Sequence, residues 1–447
     1  MLLADRTRPA SPWVALAVLS TSMLMIILDG TIVSVALPAL RDDLGFSATG
    51  LSWTVNAYLV PLGGLLLLAG RLGDLVGRRR MLVAGLVLFT LASLACGLAT
   101  GPAMLVAARA GQGVAAALAS SVVLGMVVAL FPEGSDRARA LGAYAFVGAA
   151  GASLGLLLGG VLTEAVGWRA IFLVNVPIGV VAVVLALRVL APDPARVPGT
   201  RPDLLGAALV TLGLASLVFG IVETSWVAAV AAVALLGGFA LRQARAAAPL
   251  VPPAVLRSRS VSFGNLAQVL TVAAMMGFQF ATALFLQQVL GYSPGETGLA
   301  MLPVAAVIGV VALRFAGPVI ARFTARRVLL AGLGLLLAGF AVLVGVPATD
   351  YVTQLLPALL LLGLGAGLVM PSVTSVVMSD ADADTAGLTS GLANTGQQVG
   401  GAIGIAVLAA VAAASGFRAA YLVAGVLVLA AALVVALALP RERLSTP

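Results

Sequence analysis

The chain has 447 residues, of which 61% are hydrophobic and only 9% are charged, whereas a soluble domain carries about 25% charged residues. This composition excludes a soluble globular enzyme. All 25 basic residues are Arg, there is no His, and the single Cys is Cys96. These counts exclude a His-based zinc or haem site, a thiolate metal cluster and an intrachain disulfide. We therefore expect no metal and no cofactor, and proton transfer must depend on carboxylates.

Fourteen apolar runs are long enough to cross a bilayer, which takes about 20 mostly apolar residues. The first, from Trp13 onwards, is too long for the apolar core of a signal peptide and predicts a true span. The run 204–241 is open to two interpretations, a re-entrant hairpin or two short spans. Glu223 favours two spans, because a charge at mid-bilayer is costly. The predicted spans are 14–37, 51–69, 81–99, 103–130, 140–162, 170–190, 204–222, 224–241, 262–290, 297–320, 327–346, 352–378, 387–413 and 417–439.

The charges predict the orientation. With the N-terminus inside and alternating spans, 20 Arg fall inside, three fall outside and two lie within spans, namely Arg109 and Arg314. The inner side is then net +10 and the outer side −3, which places both termini in the cytoplasm. The inner Arg residues are divided among short segments, so nucleic acid is not expected as a partner. The Arg-only, Ala- and Gly-rich usage indicates a GC-rich bacterial genome, and hence a bacterial cytoplasmic (inner) membrane.

An internal repeat divides the chain. Residues 167–174 (GWRAIFLV) are echoed by residues 416–423 (GFRAAYLV), and at the same offset Gly151 and Gly155 match Gly400 and Gly404. Two parallel six-span halves with two spans inserted between them are a known transporter architecture. We therefore predict an all-α membrane protein with a six-helix bundle at 1–190, two inserted helices at 191–260 and a second six-helix bundle at 261–447.

The loop between spans 2 and 3 reads GRLGDLVGRRR over residues 70–80. Its glycines permit a tight turn, and its Asp can accept hydrogen bonds from Arg or from helix amides. One interpretation is a solvated, positively charged loop; the other, which we favour, is a latch that holds helices in one conformational state. The candidate latch residues are Gly70, Arg71, Gly73, Asp74, Gly77, Arg78 and Arg79.

With this loop, the chain resembles the major facilitator superfamily. Residues 28–38 (LDGTIVSVALP), 109–113 (RAGQG) and 168–179 (WRAIFLVNVPIG) are similar to motifs of its fourteen-span drug:proton antiporter branch. The chain departs from that branch at Ser34, where Asn is usual, and at Leu156, where the span-5 motif normally has Pro. In the second half, Ala321 stands in place of Asp74 and Thr324 in place of Gly77. The resemblance implies that span 5, with Gly151, Gly155 and Gly159, is a gating helix.

Asp29 is the only acid predicted inside the bilayer, and such residues are functional candidates. Helix rise places it about 12 Å from the outer end of span 1, and places Arg109 about 9 Å into span 4. Opposite charges at similar depth can pair. Three roles stay open for Asp29: proton coupling with Arg109 as its partner, which we favour, a purely structural ion pair, and substrate contact.

Neutral amides also concentrate in the spans. Buried amides must find partners, so they face other helices or a wet cavity. Asn394, Gln397 and Gln398 lie on one helix face. Some amides will only join helices, and others will line the central pathway. The candidate pathway residues are Asn56, Gln112, Asn175, Gln268, Gln279, Asn394, Gln397 and Gln398.

The leading functional hypothesis is a proton-coupled antiporter that exports small amphipathic compounds, such as antibiotics, by rocker-switch alternating access. The single deep acid favours neutral, zwitterionic or monocationic substrates. The alternatives are an exporter of an endogenous metabolite, amino acid or lipid on the same scaffold, a lipid flippase of another fourteen-span fold, and a transporter-like receptor. An enzyme is not expected, because His and paired embedded carboxylates are absent. The expected partners are the substrate, protons and lipid, with the monomer as the functional unit.

Overall fold

The computed structural model describes residues 11–47, 50–131, 134–193, 203–246, 249–345, 351–380 and 386–439. Within these ranges the chain forms fourteen long helices and no β-strand. The helices are α1 (Pro12–Leu44), α2 (Gly50–Val76), α3 (Arg78–Gly97), α4 (Pro102–Leu130), α5 (Gly134–Ala165), α6 (Arg169–Val189), α7 (Leu204–Val222), α8 (Trp226–Arg245), α9 (Arg259–Gln288), α10 (Pro294–Phe323), α11 (Ala325–Gly345), α12 (Tyr351–Met378), α13 (Ala386–Ser415) and α14 (Phe417–Ala438). The predicted all-α fold is confirmed.

Thirteen of these helices are long and apolar enough to cross a membrane, judged on the described residues. In α5 the described residues contain only a shorter apolar segment, Leu154–Ala165, which is below the length needed to cross a membrane. The ambiguous run after residue 203 forms two helices, α7 and α8, joined by a turn in which Thr224 has a φ of 50°. Each of the two helices is long and apolar enough to cross a membrane, as the prediction of two short spans requires.

Several helix boundaries follow from local sequence. Ser293 opens α10 with a capping box, in which its hydroxyl accepts from the Glu296 amide and the Glu296 side chain accepts from the Ser293 amide. The helical hydrogen bonding of α6 is interrupted at Val174. Pro177 explains this break, because it has no N–H to donate to the carbonyl of Leu173. The break directly precedes Asn175, whose side chain enters the candidate site.

The two halves repeat the same helix packing. In the first half α1 packs on α5, α3 on α4 and α6, and α2 on α4. In the second half α9 packs on α13, α11 on α12 and α14, and α10 on α12. The halves meet through two related pairs, α5 with α10 and α2 with α13. Because α13 corresponds to α5 and α10 to α2, the two contacts are equivalent, as a pseudo-twofold axis between the halves requires.

The inserted helices α7 and α8 pack on each other, and α7 lies against both α2 and α13. It therefore covers a seam between the two halves. We name the two ends of the bundle from α1: the near end is where α1 begins, and the far end is where α1 finishes. Of the Arg residues in the described ranges, Arg41, Arg169 and Arg418 lie at the far end, and the others outside helix interiors lie at the near end.

Candidate functional site

The interior of the first bundle holds a charged cluster centred on Asp29. The Asp29 and Arg109 side chains are both fully buried and form a direct ion pair through Oδ2 and Nη1. The other carboxylate oxygen, Oδ1, accepts hydrogen bonds from Gln112 Nε2 at 3.0 Å and from Asn175 Nδ2 at 2.8 Å. Helices α1, α4 and α6 therefore meet at one carboxylate.

The Arg109 guanidinium is held from several sides. Its Nε donates to the Thr54 carbonyl at 2.7 Å, and its Nη1 also donates to Gln112 Oε1 at 2.9 Å. Its Cζ lies 4.5 Å from the centre of the Tyr58 ring and 5.8 Å from that of Phe172, which adds cation–π attraction. Nη2 has no hydrogen-bond partner within the described ranges.

Two small residues of α3 complete the cluster, and the sequence analysis did not identify them. Ser93 Oγ accepts from Gln112 Nε2 at 2.8 Å, and Cys96 Sγ donates to Gln112 Oε1 at 3.2 Å. Both side chains are fully buried. Their spacing of three places them on one face of α3. That spacing is common among apolar helices, so the sequence carried only a weak signal for them.

The predicted pathway amides fall into three groups. Gln112 and Asn175 lie on the Asp29 carboxylate, inside the first bundle. Asn56 and Gln268 are buried, and none of their side-chain polar atoms has a partner in the part of the chain described. The remaining four, Gln279, Asn394, Gln397 and Gln398, are half-buried. The structure thus divides the predicted pathway set between a charge cluster and separate polar positions.

The candidate latch loop joins α2, α3 and α4 at the near end. Arg78 Nη2 lies 3.0 Å from Asp74 Oδ1, and Arg78 Nη1 donates to the Gly125 carbonyl of α4 at 3.2 Å. A Cβ at Gly73 would overlap Val122 of α4, so Gly73 permits close helix contact. Gly70 lies opposite Ser121 of α4, and Arg71 is largely exposed. These contacts join the loop to α4 of its own bundle, and the segment that follows that bundle adds another.

That following segment supplies an acid that the sequence analysis missed. The Asp193 carboxylate, buried beyond the end of α6, accepts from the backbone amides of Arg79 at 2.9 Å and Arg80 at 3.0 Å. It therefore caps the N-terminus of α3, a role that its N-cap residue Gly77 cannot perform. Gly77 has a φ of 114°, and a Cβ there would overlap Asp193. Only tertiary structure brings these two positions together.

The equivalent loop of the second half keeps the contact that Arg79 makes. It loses the Asp74–Arg78 ion pair, because Ala321 stands in place of Asp74. Arg79 Nη2 donates to the Leu187 carbonyl of α6 at 2.6 Å, and Arg326 Nη2 donates to the Ala436 carbonyl of α14 at 2.8 Å. Thr324 takes a φ of 76°, in the region that Gly77 occupies without strain. The second loop thus retains the backbone path of the first although its Gly and Asp are replaced.

The glycines of α5 set its contact with α1. A Cβ at Gly155 would overlap Thr31, one at Gly159 would lie 2.5 Å from the Ile32 carbonyl, and one at Gly151 would lie 3.0 Å from Leu24. Leu156, at the position where the antiporter motif normally has Pro, is buried against the second half.

The far end of α5 contacts α10 through hydrogen bonds as well. Leu156 O lies 2.7 Å from where a Gly298 Cβ would stand. Glu164 Oε2 accepts from the Gly295 amide at 2.9 Å and from Ser293 Oγ at 3.2 Å. One face of α5 is therefore fitted to its own half and another to the opposite half.

These features define a class of protein: a multi-pass α-helical membrane protein built from two related halves. Residues 19–405 match the model of the Major Facilitator Superfamily, and the chain belongs to that family of small-molecule transporters, which are not enzymes. It is 41% identical over 387 residues to the cephamycin export protein CmcT of Amycolatopsis lactamdurans, covering 83% of this chain and 79% of that one.

Two further relatives and one solved structure are similar. The puromycin resistance protein pur8 of Streptomyces alboniger is 38% identical, with 80% of this chain and 73% of the relative covered. The tetracenomycin C resistance and export protein of Streptomyces glaucescens is 34% identical, with 84% and 71% covered. The crystal structure of the human organic anion transporter MFSD10 (TETRAN) shares the fold, with a TM-score of 0.67 and 17% identity over 95% of this chain and 99% of that one.

Proposed function

We propose that the protein is a proton-coupled antiporter that exports small amphipathic compounds, antibiotics among them, from the bacterial cytoplasm. Curated relatives that export cephamycin and tetracenomycin C, or confer resistance to puromycin, support the antibiotic class. The observation that carries proton coupling is the Asp29 cluster. It is a fully buried carboxylate inside a membrane-spanning helix, ion-paired to Arg109.

The cluster suggests how Asp29 can exchange a proton. A buried carboxylate is stable only when a cation and hydrogen-bond donors compensate for the lost hydration. Arg109, Gln112 and Asn175 do so here, from α4 and α6. In the proposal, a local shift of α1 against α4 within the first bundle accompanies the rocking movement and withdraws Arg109, and the uncompensated Asp29 carboxylate then takes up a proton. In the proposed cycle Asp29 alternates between the ion pair and a proton.

The helix contacts support a rocker-switch movement of two units, 1–190 and 261–447, with 191–260 between them. At the far end, α5 and α10 are in contact through Glu164, Ser293 and Gly295. The proposed movement separates these ends and brings the near ends together. In this proposal the 70–80 loop is the near-end latch, and Gly151, Gly155 and Gly159 form the surface along which α5 moves. The near end, with most of the Arg residues, faces the cytoplasm, as do both termini.

The test uses the purified protein in proteoliposomes with an imposed pH gradient and a panel of cephamycin C, puromycin and tetracenomycin C. We expect the wild type to accumulate at least one of them against its gradient and to stop when the gradient is dissipated. Asp29→Asn should abolish uphill transport and leave downhill exchange. The matched control, Asp136→Asn, removes a carboxylate that is paired with Arg139 at the surface.

Normal uphill transport by Asp29→Asn would refute proton coupling through Asp29. If the wild type transports no compound of the panel under any pH gradient, antibiotic export is wrong. Transport of an amino acid, a lipid or another metabolite would then support the alternative of an endogenous exporter. The same vesicles report the functional unit: when active and inactive proteins are mixed, the transport rate of a functional monomer falls only in proportion to the inactive fraction.

A further inference from the structure

The amide of Gln112 uses its full hydrogen-bonding capacity inside the Asp29 cluster. A side-chain amide has two N–H donors and one oxygen with two lone pairs. Nε2 donates to Asp29 Oδ1 at 3.0 Å and to Ser93 Oγ at 2.8 Å. Oε1 accepts from Arg109 Nη1 at 2.9 Å and from Cys96 Sγ at 3.2 Å. Half of these bonds join the amide to the ion pair, and the other half join it to α3.

Helix α3 can hold this amide because α3 is fixed to α4, the helix that carries the amide. A Cβ at Gly85 of α3 would lie 2.6 Å from the Ala119 nitrogen of α4, so the two helices are in close backbone contact. Ser93 and Cys96 are fully buried, and their spacing of three places both on the face of α3 that meets α4. The carboxylate belongs instead to α1, which packs mainly on α5. A shift of α1 therefore leaves the amide with its two α3 partners.

The ionisable side chains beside Asp29 come from three helices. They are Arg109 of α4, Tyr58 of α2 and Cys96 of α3. The Tyr58 hydroxyl donates to a backbone carbonyl of α1 at 3.1 Å, and α6 adds a neutral amide. Among the described side chains of α5, α9 and α10, which also pack on α1, no ionisable group has a hydrogen bond or ion pair to the cluster; these groups are Asp136, Arg139, Tyr144, Glu164, Arg259, Glu296, Arg314 and Arg322. Replacing Ser93 therefore changes the hydrogen bonding around Asp29 without changing the charges there.

We propose that Ser93 and Cys96 are positioning residues of the proton site, which hold the Gln112 amide ready for the ionised Asp29 carboxylate. This inference rests on the proposed role of Asp29 and specifies how its affinity for the proton is set. A free Gln side chain loses rotamer freedom whenever a partner fixes it. Ser93 and Cys96 fix it beforehand, so this cost does not arise when α1 returns to α4. Because a hydrogen bond to a charged group contributes more than one to a neutral group, the held amide favours release of the proton.

The first test observes Asp29 directly and needs no substrate. Infrared difference spectra of the reconstituted protein, recorded at stepped pH, report the C=O band of the protonated carboxyl, which is identified by its absence in Asp29→Asn. In Ser93→Ala this band should persist to a pH about half a unit to one unit higher than in the wild type, because the amide is no longer held. Cys96→Ala should have a smaller effect in the same direction, since a thiol is a weak donor. Cys96→Ser should restore the wild-type behaviour.

Two controls separate positioning from packing. Thr90→Val removes another buried hydroxyl of α3, which donates to the Leu86 carbonyl of its own helix at 2.7 Å, and should leave the band unchanged. In a Gln112→Leu background, Ser93→Ala should cause no further change, because it acts through the amide. An unchanged band in Ser93→Ala, even with lower thermal stability, would show that this residue only packs, and would overturn the inference. An undiminished effect of Ser93→Ala in the Gln112→Leu background would overturn it as well.

The second test links the site to export, with cephamycin C, puromycin and tetracenomycin C in proteoliposomes. Uphill transport by the wild type should slow as the pH on the cytoplasmic side is lowered, because the proton is released there. In Ser93→Ala this slowing should begin about half a unit to one unit higher. If the Asp29 band moves and the transport profile does not, proton coupling through Asp29 is wrong and the positioning role stands. If the wild type shows no Asp29 band at any pH, the coupling proposal and this inference fail together.

Discussion

At the residue scale, the central feature is a buried ion pair whose members come from positions 29 and 109. Removing both charges from such a pair often costs little, but removing one leaves an uncompensated charge inside the protein. Here the cost of burial is offset by three side-chain donors to one carboxylate. The sequence predicted the pair from helix depth alone. It did not predict that Gln112 and Asn175 serve Asp29, because their directions depend on how α4 and α6 are rotated.

The pair can be tested by comparing single and double substitutions. Arg109→Leu should destabilise the protein by about 3–5 kcal/mol, because Asp29 is then buried without its cation. Adding Asp29→Asn should restore most of that stability, since the remaining groups are neutral and hydrogen-bonded. Thermal unfolding of the purified proteins measures this, with Asp29→Asn alone completing the cycle. Additive effects of the two changes would contradict direct coupling between the side chains.

At the element scale, the helix interiors could be predicted from the sequence, whereas the helix ends could not. Span count and helix type followed from apolar length, because the bilayer leaves the backbone few other choices. The boundaries did not: α1 extends seven residues beyond the predicted end at Leu37 and carries Pro38 within it. The α3 cap was not predictable either, because Asp193 and Gly77 lie far apart in sequence and meet only after α6 has packed on α3.

The Asp193 cap should matter for the near-end loop. Asp193→Ala leaves the amides of Arg79 and Arg80 without their acceptor and should cost about 0.5–2 kcal/mol, as loss of an N-cap does. Thermal unfolding measures the cost, and trypsin cleavage at residues 78–80 should become faster. Asp193→Asn keeps an acceptor oxygen and should recover part of the loss. Unchanged cleavage in Asp193→Ala would show that the cap does not order this loop.

A second acid, Asp203, joins the inserted helices α7 and α8 through its hydrogen bonds. Their contact should therefore be sensitive to acid. Burial alone raises the pKa of Asp203, but hydrogen bonds from the Gly206 amide, Gln243 and Arg242 outweigh it and leave the pKa lowered. A lowered pKa means that its stabilisation is complete above the unfolded value, about 4, and is lost as the pH falls through the folded value. The contribution of Asp203 to the unfolding midpoint should therefore be constant down to about pH 4 and be lost at lower pH, so that the midpoint falls less below pH 4 in Asp203→Asn. Equal acid sensitivity of both proteins would contradict this assignment.

At the scale of the whole molecule, the repeat read from a few short matches corresponds to equivalent helix pairs in both halves. The sequence could not show how the halves meet, because the two helices of each pair, α5–α10 and α2–α13, lie in different halves of the chain and no continuous stretch of sequence contains both contact surfaces. Their contact is made by glycine surfaces and by hydrogen bonds at the far end. The same contact must open if the two bundles rock, so it provides a direct test of the movement.

We predict that holding α5 and α10 together at the far end stops transport. In a Cys96→Ser background, in which the hydroxyl can replace the thiol as donor to Gln112, Glu164→Cys and Ser293→Cys place two thiols at this contact. A short bifunctional methanethiosulfonate reagent should link them, abolish transport in proteoliposomes and be reversed by reduction. Each single-cysteine protein, treated alike, controls for the loss of the capping box and of the Glu164 contacts. Transport at the unlinked rate by the linked protein would show that these helix ends stay together throughout the cycle, and the two-bundle rocking movement would then be wrong.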